Sequence, residues 1–556
     1  MKILTLHVDY IKFKPKKKAI KSAESLPAGE EKESLVVFIA VEKGDHNSKE
    51  LVKNIKDIAK QVKTKKIVLY PYAHLSSNLS SPDTALKILK DAEKQLKKDK
   101  FKITRAPFGM YKEFELKCKG HPLAELSREF SELGEEKLTE NERKNLLSQV
   151  SRSRLDTSKL KENDHRILGQ KMDLFSFNDV APGMVFWHNN GLILYNELIK
   201  YWREEHKKEG YEEISTPQIL DKKLWQISGH WDKYKENNFV TQYEKRPFLV
   251  KPMNCPGGML LYKLKPRSYK ELPMRVGEIG VVHRQELSGV LTGLFRVVRI
   301  TQDDAHIFCA DEKQVEQEVE GIIKLIDKFY KTFNLKFDHV ELSTRPKKRI
   351  GTEKQWDMAE NILEKVLKKK KMKYKINKGD GAFYGPKIDF HAKDSQERTW
   401  QLSTIQLDFA MPERFELEYT DKDNKTKRPI MLHRVIYGAI ERFLGVLLES
   451  SNGHLPIWLA PIQCRLISFT SKNKKAVQKI ENEMIEKGIR VDVDIENNTV
   501  SSKIKKAEEM KIPYIIVIGD KEEKSKSLAV RNKGKIKTIK QDKFIKDLLK
   551  EIKERK

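Results

Sequence analysis

The stretch VVHRQELSGVLTGLFRVVRITQDDAHIF (Val281–Phe308) does most to limit how this chain can fold. Two runs of strand-forming residues flank a glycine-containing loop, so the segment predicts an antiparallel hairpin. Arg284, Glu286, Arg296, Asp303, Asp304 and His306 lie inside or beside those runs. Strand alternation predicts Arg284 and Glu286 on one face, where one side chain meets a phosphate and the other a metal or an amine. A surface salt-bridge ladder accounts for the same residues without any ligand.

The rest of the chain reads as separate units around this hairpin. Residues 1–126 alternate strand-like runs (LVVFIAV from Leu35, KKIVLYPYA from Lys65) with helical stretches near 48–63 and 83–98, a compact α/β unit. The opening MKILTLHVDY reads as a first strand, since His7 and Asp9 interrupt its apolar stretch. Residues 127–163 carry scattered apolar positions and much charge, and read as a helical linker. Residues 164–456 mix strands with amphipathic helices, such as the one carrying Val319, Ile322, Ile323, Ile326, Tyr330 and Phe333, in an α+β order. From 457 a βαβ rhythm begins: RLISF, GIRVDVDI and IPYIIVIG, with helices between and a lysine-rich helix at the end. The fold class is therefore multidomain α/β and α+β.

Composition narrows the function classes. The longest clean apolar run, Leu35–Val41, is far short of the roughly 20 residues that cross a bilayer, so no membrane span is expected. Four cysteines with no CxxC pair exclude a disulfide framework and a zinc ribbon, and point to a reducing, cytoplasmic setting. The net charge of +28 is concentrated at the ends: +12 falls within residues 1–120 and +10 within residues 461–556. Basic flanks around a nearly balanced centre suit a protein whose outer domains grip a polyanion. A general lysine bias produces the same numbers.

The motifs then carry a family resemblance. RQE, a loop and RVVRITQDDAH resemble motif 2 of class II aminoacyl-tRNA synthetases; a helix ending in STPQIL around Pro217 resembles motif 1, and GAIERF (Gly438–Phe443) motif 3. APGMVFWHNNG, SGHWDKY, KPMNCPGG, TQDDAHIF, GAFYGPKIDF, WQLSTIQLDF and MLHRVIYGAIERF together resemble the threonyl-tRNA synthetases, from about Asp164 to the C-terminus. YPYAHLSS and APFGMYKEFELKCKGHPLAE resemble the archaeal-type editing domain, which is related to D-aminoacyl-tRNA deacylases.

The resemblance implies a site residue by residue. Cys255, His306 and His433, which are 51 and 127 residues apart, match the family's zinc ligands, one ion per chain. Three protein ligands leave a position open on zinc, and in the family the amino and hydroxyl groups of threonine both bind the metal. Asp304 is then expected to accept from the substrate hydroxyl, with Gln302 and Tyr384 shaping the pocket and Gln401 and Gln406 nearby. For ATP and its magnesium, the resemblance implies Arg284 on the α-phosphate, Arg296 toward the tail, Glu286 near the metal and Arg442 over the adenine. His230 corresponds to a transfer-step histidine, a general base at the tRNA ribose.

Three stretches depart from the family pattern. The aromatic that backs the adenine is Ile300, RNEPSG reads RQELSG, and CPGH reads CPGG at Gly258. Serine differs from threonine by one methyl, worth roughly 1–3 kcal/mol, so misacylation is expected and an editing domain has a reason to exist. His74, Tyr111, Lys112 and Glu125 match its pocket positions, and Cys118 and His121 lie close by in sequence. In the C-terminal unit Glu522 and Arg531, with Asn497, match anticodon-reading positions. The implied partners are tRNA(Thr), threonine and ATP, in a cytoplasmic homodimer built through motif 1. A synthetase-like RNA-binding regulator and another class II specificity such as prolyl are the alternatives.

Overall fold

The structure is a computed structural model, which describes residues 1–20, 22–76, 78–130, 140–150, 158, 160–229, 231, 238–394 and 396–555. The chain divides into two compact units, Met1–Arg143 and Lys144–Lys556.

In the first unit, strands β1 (Lys2–Lys18), β2 (Gly29–Ala40), β3 (Lys66–Pro71), β4 (Lys102–Arg105), β5 (Met110–Cys118) and β6 (Glu125–Glu129) form one sheet in the order β4-β3-β2-β1-β5, with β6 also on β1. The opening segment is a strand, as its sequence predicts, and the sheet places it between β2 and β5. Helices Lys49–Gln61 and Pro82–Lys98 bury Leu51, Ile55, Ile58, Ile88, Leu89 and Leu96 against β2 and β3. Beside α-helix Pro82–Lys98, Ser81 caps the N-terminus by accepting from the Thr84 N–H. The strand β6 continues to Glu129, past the 126 boundary read from sequence, because Leu126 and Phe130 still pack on the apolar core. Within 127–163, the described part includes a helix at Glu140–Val150.

The second unit is organised by an eight-stranded sheet, β16-β15-β17-β18-β21-β14-β13-β9. Its members are β9 (Glu212–Glu213), β13 (Met274–His283), β14 (Arg299–Cys309), β15 (His339–Ser343), β16 (Lys375–Asn377), β17 (Lys387–Lys393), β18 (Thr399–Asp408) and β21 (Ile430–Val435). Smaller ribbons are β7 (Phe175–Ser176) with β8 (Phe186–Trp187), β10 (Ile219–Asp221) with β12 (Arg246–Val250) and β11 (Val240–Tyr243), and β19 (Tyr419–Thr420) with β20 (Thr426–Lys427). Ala305, Ile307, Ile388, Phe390, Ile405 and Leu407 bury one face of the large sheet against helices Glu312–Thr332, Glu353–Lys369 and Ile440–Ser450. The opposite face carries the polar residues, the division expected of an antiparallel sheet covered on one side.

Two sequence expectations are corrected here. β13 and β14 do pair antiparallel, but β13 ends at His283, so Arg284 and Glu286 stand in the connecting loop rather than on an alternating strand. The segment STPQIL does not end a helix: the helix Asn189–Lys208 stops earlier, and the chain then runs through β9 and an extended stretch into β10.

The last part of the unit is a five-stranded sheet, β23-β22-β24-β25-β26, from β22 (Cys464–Ser468), β23 (Val491–Asp494), β24 (Tyr514–Ile518), β25 (Ser527–Asn532) and β26 (Lys535–Lys540). The first three strands are parallel; the β25–β26 hairpin, absent from the sequence reading, adds an antiparallel edge. Among the described residues no helix is long and apolar enough to cross a membrane.

Candidate active site

Cross-strand register brings the far-apart residues together. His306 on β14 stands directly opposite His433 on β21, and His433 stands opposite Gln406 on β18. Period-two alternation puts Gln302, Asp304 and His306 on this same open face of β14. Cys255 opens the helix Cys255–Lys263 and reaches the pair. The ligand atoms of Cys255, His306 and His433 all lie within 4.8 Å of one another, and the three residues are buried.

The trio has the donor set and the unmet need of a zinc site. His433 Nε2 bonds Asp408 Oδ2 at 2.7 Å, which turns its Nδ1 toward the other two residues. That Nδ1 and His306 Nε2 are buried without a hydrogen-bond partner. Such orphaned polar atoms cost about 1–3 kcal/mol each, so a shared ligand is the natural compensation. One thiolate and two imidazoles suit zinc with a position left open, and Asp408 is the carboxylate that orients a ligating imidazole. Burial alone pushes the Cys255 thiol up, but the imidazoles of His433 and His306 outweigh it and hold it below its ordinary value. A zinc ion therefore fits the residues present.

The surrounding side chains are held in place by residues that sequence reasoning did not single out. Asp304 Oδ2 accepts from the Asn254 amide at 3.1 Å. Gly280 is required beneath it, since a Cβ there would lie 2.4 Å from the Asn254 carboxamide. The Tyr384 ring lies 5.5 Å from that of His433, and Gln406 Nε2 donates to the Gly385 carbonyl at 3.3 Å. Gln401 Nε2 donates to Asp389 Oδ1 at 2.6 Å, and Lys387 Nζ to Asp389 Oδ2 at 2.7 Å. At Gly258 a Cβ would meet His306 Nδ1 at 3.3 Å, so the glycine leaves that imidazole uncrowded.

Next to this pocket lie three guanidinium groups. Arg442 donates through Nε to the Phe295 carbonyl and through Nη1 to the Gln401 carbonyl, both at 3.0 Å. Burial, reinforced by the fields of Arg284 and Arg296, pushes its pKa down to about 10. Arg284 Nε donates to the Pro252 carbonyl at 3.2 Å, and Arg296 Nε to Glu286 Oε2 at 2.9 Å. Three guanidinium groups gathered at one place suit a polyanion. Ile300 is half-buried on β14, on the Gln302 face. His230 lies outside the described residues.

The first unit has its own cavity of about 330 Å³, lined by Tyr70, Tyr72, His74, Tyr111, Lys112 and Phe114 among others. Lys112 Nζ donates to the carbonyls of Pro107 and Met110, both at 3.1 Å, and sits 4.9 Å from the Tyr70 ring centroid. Burial pushes its pKa down to about 8. Glu125 is not among the lining residues; it stands opposite Leu6 on β1, near Cys118, whose thiol burial and the Glu125 charge push up.

In the five-stranded sheet, Asn497 is exposed just beyond β23, and Glu522 lies in the short helix after β24, its Oε2 accepting from the Gly519 N–H at 3.1 Å. Both follow the carboxyl ends of parallel strands. Arg531 is opposite Ile515 in the first half of β24, and its Nη1 lies 3.5 Å from Glu508. The register thus puts it toward the other end of that strand pair from Glu522.

Comparison with known proteins agrees with this geometry. Residues 1–130 match the archaea-specific editing domain of threonyl-tRNA synthetase, 237–451 the tRNA synthetase class II core domain (G, H, P, S and T), and 463–555 an anticodon binding domain. Threonine--tRNA ligases of Caldanaerobacter subterraneus subsp. tengcongensis and Acetivibrio thermocellus are 52% and 50% identical over 394 and 395 residues. Those alignments cover 70% and 71% of this chain, and the chain spans only 61% and 62% of the length of those relatives. A crystal structure of the RNA binding domain of threonyl-tRNA synthetase from Cryptosporidium parvum Iowa II is 40% identical with a TM-score of 0.67, covering 69% of this chain and 97% of that one. With an editing-type unit, a class II sheet and an anticodon-type unit in one chain, this protein belongs to the threonyl-tRNA synthetase family.

Proposed function

We propose that the chain ligates threonine to tRNA(Thr) with ATP, through a threonyl-adenylate, and that its first unit hydrolyses seryl-tRNA(Thr) made in error. The observation that carries this reading is the buried Cys255, His306 and His433 trio, with two partnerless imidazole nitrogens, beside the arginine cluster. These three residues would hold one zinc ion. When bound, the ion offers coordination to both the amino and hydroxyl groups of threonine, which valine cannot match.

The chain's own residues do the remaining work. Asp304, fixed by Asn254, accepts from the substrate hydroxyl, while Tyr384 and Gln302 bound the pocket and Gln401 and Gln406 border it. The substrate carboxylate attacks the ATP α-phosphate, where Arg284 meets the charge that develops. Arg296, oriented by Glu286, takes the triphosphate tail, which arrives with magnesium. Arg442 covers the adenine, its guanidinium immobilised by two carbonyls before ATP arrives. His230 serves as base in transfer to the tRNA ribose. Asn497, Glu522 and Arg531 read the anticodon, and the protein acts as a cytoplasmic homodimer.

Pyrophosphate exchange with threonine, serine and valine, alongside a zinc assay, tests the reading. Threonine should support exchange best, serine roughly 10–200-fold less well and valine hardly at all. Exchange with valine at the threonine rate would overturn it.

Two smaller predictions follow from single residues. Ile300 gives the adenine apolar area but no π-face, and an aromatic stack adds about 0.5–1.5 kcal/mol. Ile300→Phe should therefore lower the KM for ATP by about 2–10-fold; an unchanged or raised KM refutes the placement. Arg531→Ala and Glu522→Ala should lower aminoacylation while leaving pyrophosphate exchange intact, since base reading lies outside the activation step. Equal losses in both assays would count against an anticodon role.

A further inference from the structure

A second cluster of ligating side chains lies farther along the same open face of the large sheet, toward its β15–β16 edge. His339 on β15 stands directly opposite His391 on β17. Their rings stack with centroids 4.4 Å apart and planes 9° from parallel. Glu341, two residues along β15 and so on the same face, brings its carboxylate to both: Oε1 lies 3.1 Å from His339 Nε2, and Oε2 3.7 Å from His391 Nε2. The ligand atoms of the three residues fall within 4.8 Å of one another.

The hydrogen bonds around the cluster leave its centre unsatisfied. Asp338 Oδ2 is 2.6 Å from His339 Nδ1; with the single proton of a neutral imidazole on that shorter contact, the Nε2 lone pair points at Glu341. An acceptor then faces an acceptor at 3.1 Å, an arrangement that a cation relieves. His391 Nε2 is buried with no hydrogen-bond partner. Asn377 donates to Glu341 Oε2 at 2.9 Å, steadying the carboxylate from outside. Asp338 behind His339 and Asn377 behind Glu341 are what supporting groups around a metal site look like.

We propose that His339, Glu341 and His391 form a second metal site, for a divalent transition ion such as zinc or cobalt, distinct from the Cys255, His306 and His433 trio. Two imidazoles and one carboxylate are borderline ligands that favour such ions over magnesium or calcium. The ion clips β15 to β17 near the sheet edge, where only the short β16 lies beyond. The rival account is a proton: a doubly protonated His339 shared between Asp338 and Glu341 satisfies the same distances and binds no metal.

Cobalt titration of the chelator-stripped full chain separates the two accounts. The intact protein should take up two equivalents of cobalt, one of them with the intense charge-transfer band of a thiolate ligand. Glu341→Gln preserves shape and the Asn377 contact, and His391→Ala removes the partnerless imidazole; each should lose one equivalent and keep the thiolate band. Cys255→Ala should lose the band and retain the equivalent that Glu341→Gln removes. Cobalt should also raise the thermal midpoint of Cys255→Ala but not of the Cys255→Ala, Glu341→Gln double variant. If Glu341→Gln binds as much cobalt as the parent in either background, the site binds a proton and the proposal fails.

Discussion

Replacing Cys255 with alanine is expected to abolish threonine-dependent pyrophosphate exchange and to strip zinc from the site. The reasoning starts with burial. Cys255, His306 and His433 are enclosed, and two of their ring nitrogens have no partner within the protein. Removing the sulfur leaves two imidazoles that cannot by themselves complete a tetrahedral zinc shell. Exchange should fall by about 100-fold or more, because the determinant for the substrate amino and hydroxyl groups goes with the metal. A milder probe is Asp408→Asn, which leaves every ligand in place but weakens the bond that orients His433; zinc affinity should drop by about 10–100-fold. Full threonine exchange by a metal-free Cys255→Ala protein would falsify the assignment.

Much of the fold could be read because local signals were unmixed. The amphipathic helix Glu312–Thr332 shows its apolar period plainly and buries Val319, Ile322, Ile326 and Phe329. The hairpin of β13 and β14 follows from two strand-forming runs around a loop. What failed were ends and edges. Arg284 and Glu286 continue the strand pattern in sequence, yet β13 stops at His283, and the Arg284 side chain bonds the Pro252 carbonyl. The β25–β26 hairpin went unread, for β26 is lysine-rich and largely exposed and offers no apolar alternation.

The site was legible only in part, for a different physical reason. Positions 302, 304 and 306 alternate on one strand, so a shared face follows from sequence. That His306 meets His433 depends on the β14–β21 register, 127 residues away, which no local pattern encodes. Family resemblance supplied those residues. It did not flag Asn254, Asp408 or Lys387, whose importance lies in what they hold: Asp304, His433 and Asp389. Cys255 alone reads as one more buried thiol; the two partnerless imidazole nitrogens give it meaning.

Lys112→Ala is expected to abolish deacylation of seryl-tRNA(Thr) while threonylation continues. Lys112 Nζ is anchored by the Pro107 and Met110 carbonyls over the Tyr70 ring, in a cavity it shares with His74 and Tyr111. Two donors are used on those carbonyls, leaving a third for the ester linkage and the negative charge that develops there during hydrolysis. Removing one positioned donor of this kind costs about 10²–10³ in rate. The pH profile gives an independent check. Burial brings the Lys112 pKa down to about 8, so the ammonium is present at pH 7 and is lost as pH rises through 8. The Lys112-dependent part of the deacylation rate, parent minus Lys112→Ala, should therefore fall above pH 8. Unfolding through this group does not mimic that loss. Between about 8 and the ordinary lysine value, the unfolded chain binds the proton and the folded one does not, so Lys112 adds stability as pH rises. If Lys112 only held tRNA phosphates, Lys112→Ala would instead weaken tRNA binding in a salt-dependent way and leave the deacylation rate of bound seryl-tRNA unchanged. Equal single-turnover rates for mutant and parent would remove Lys112 from the editing chemistry.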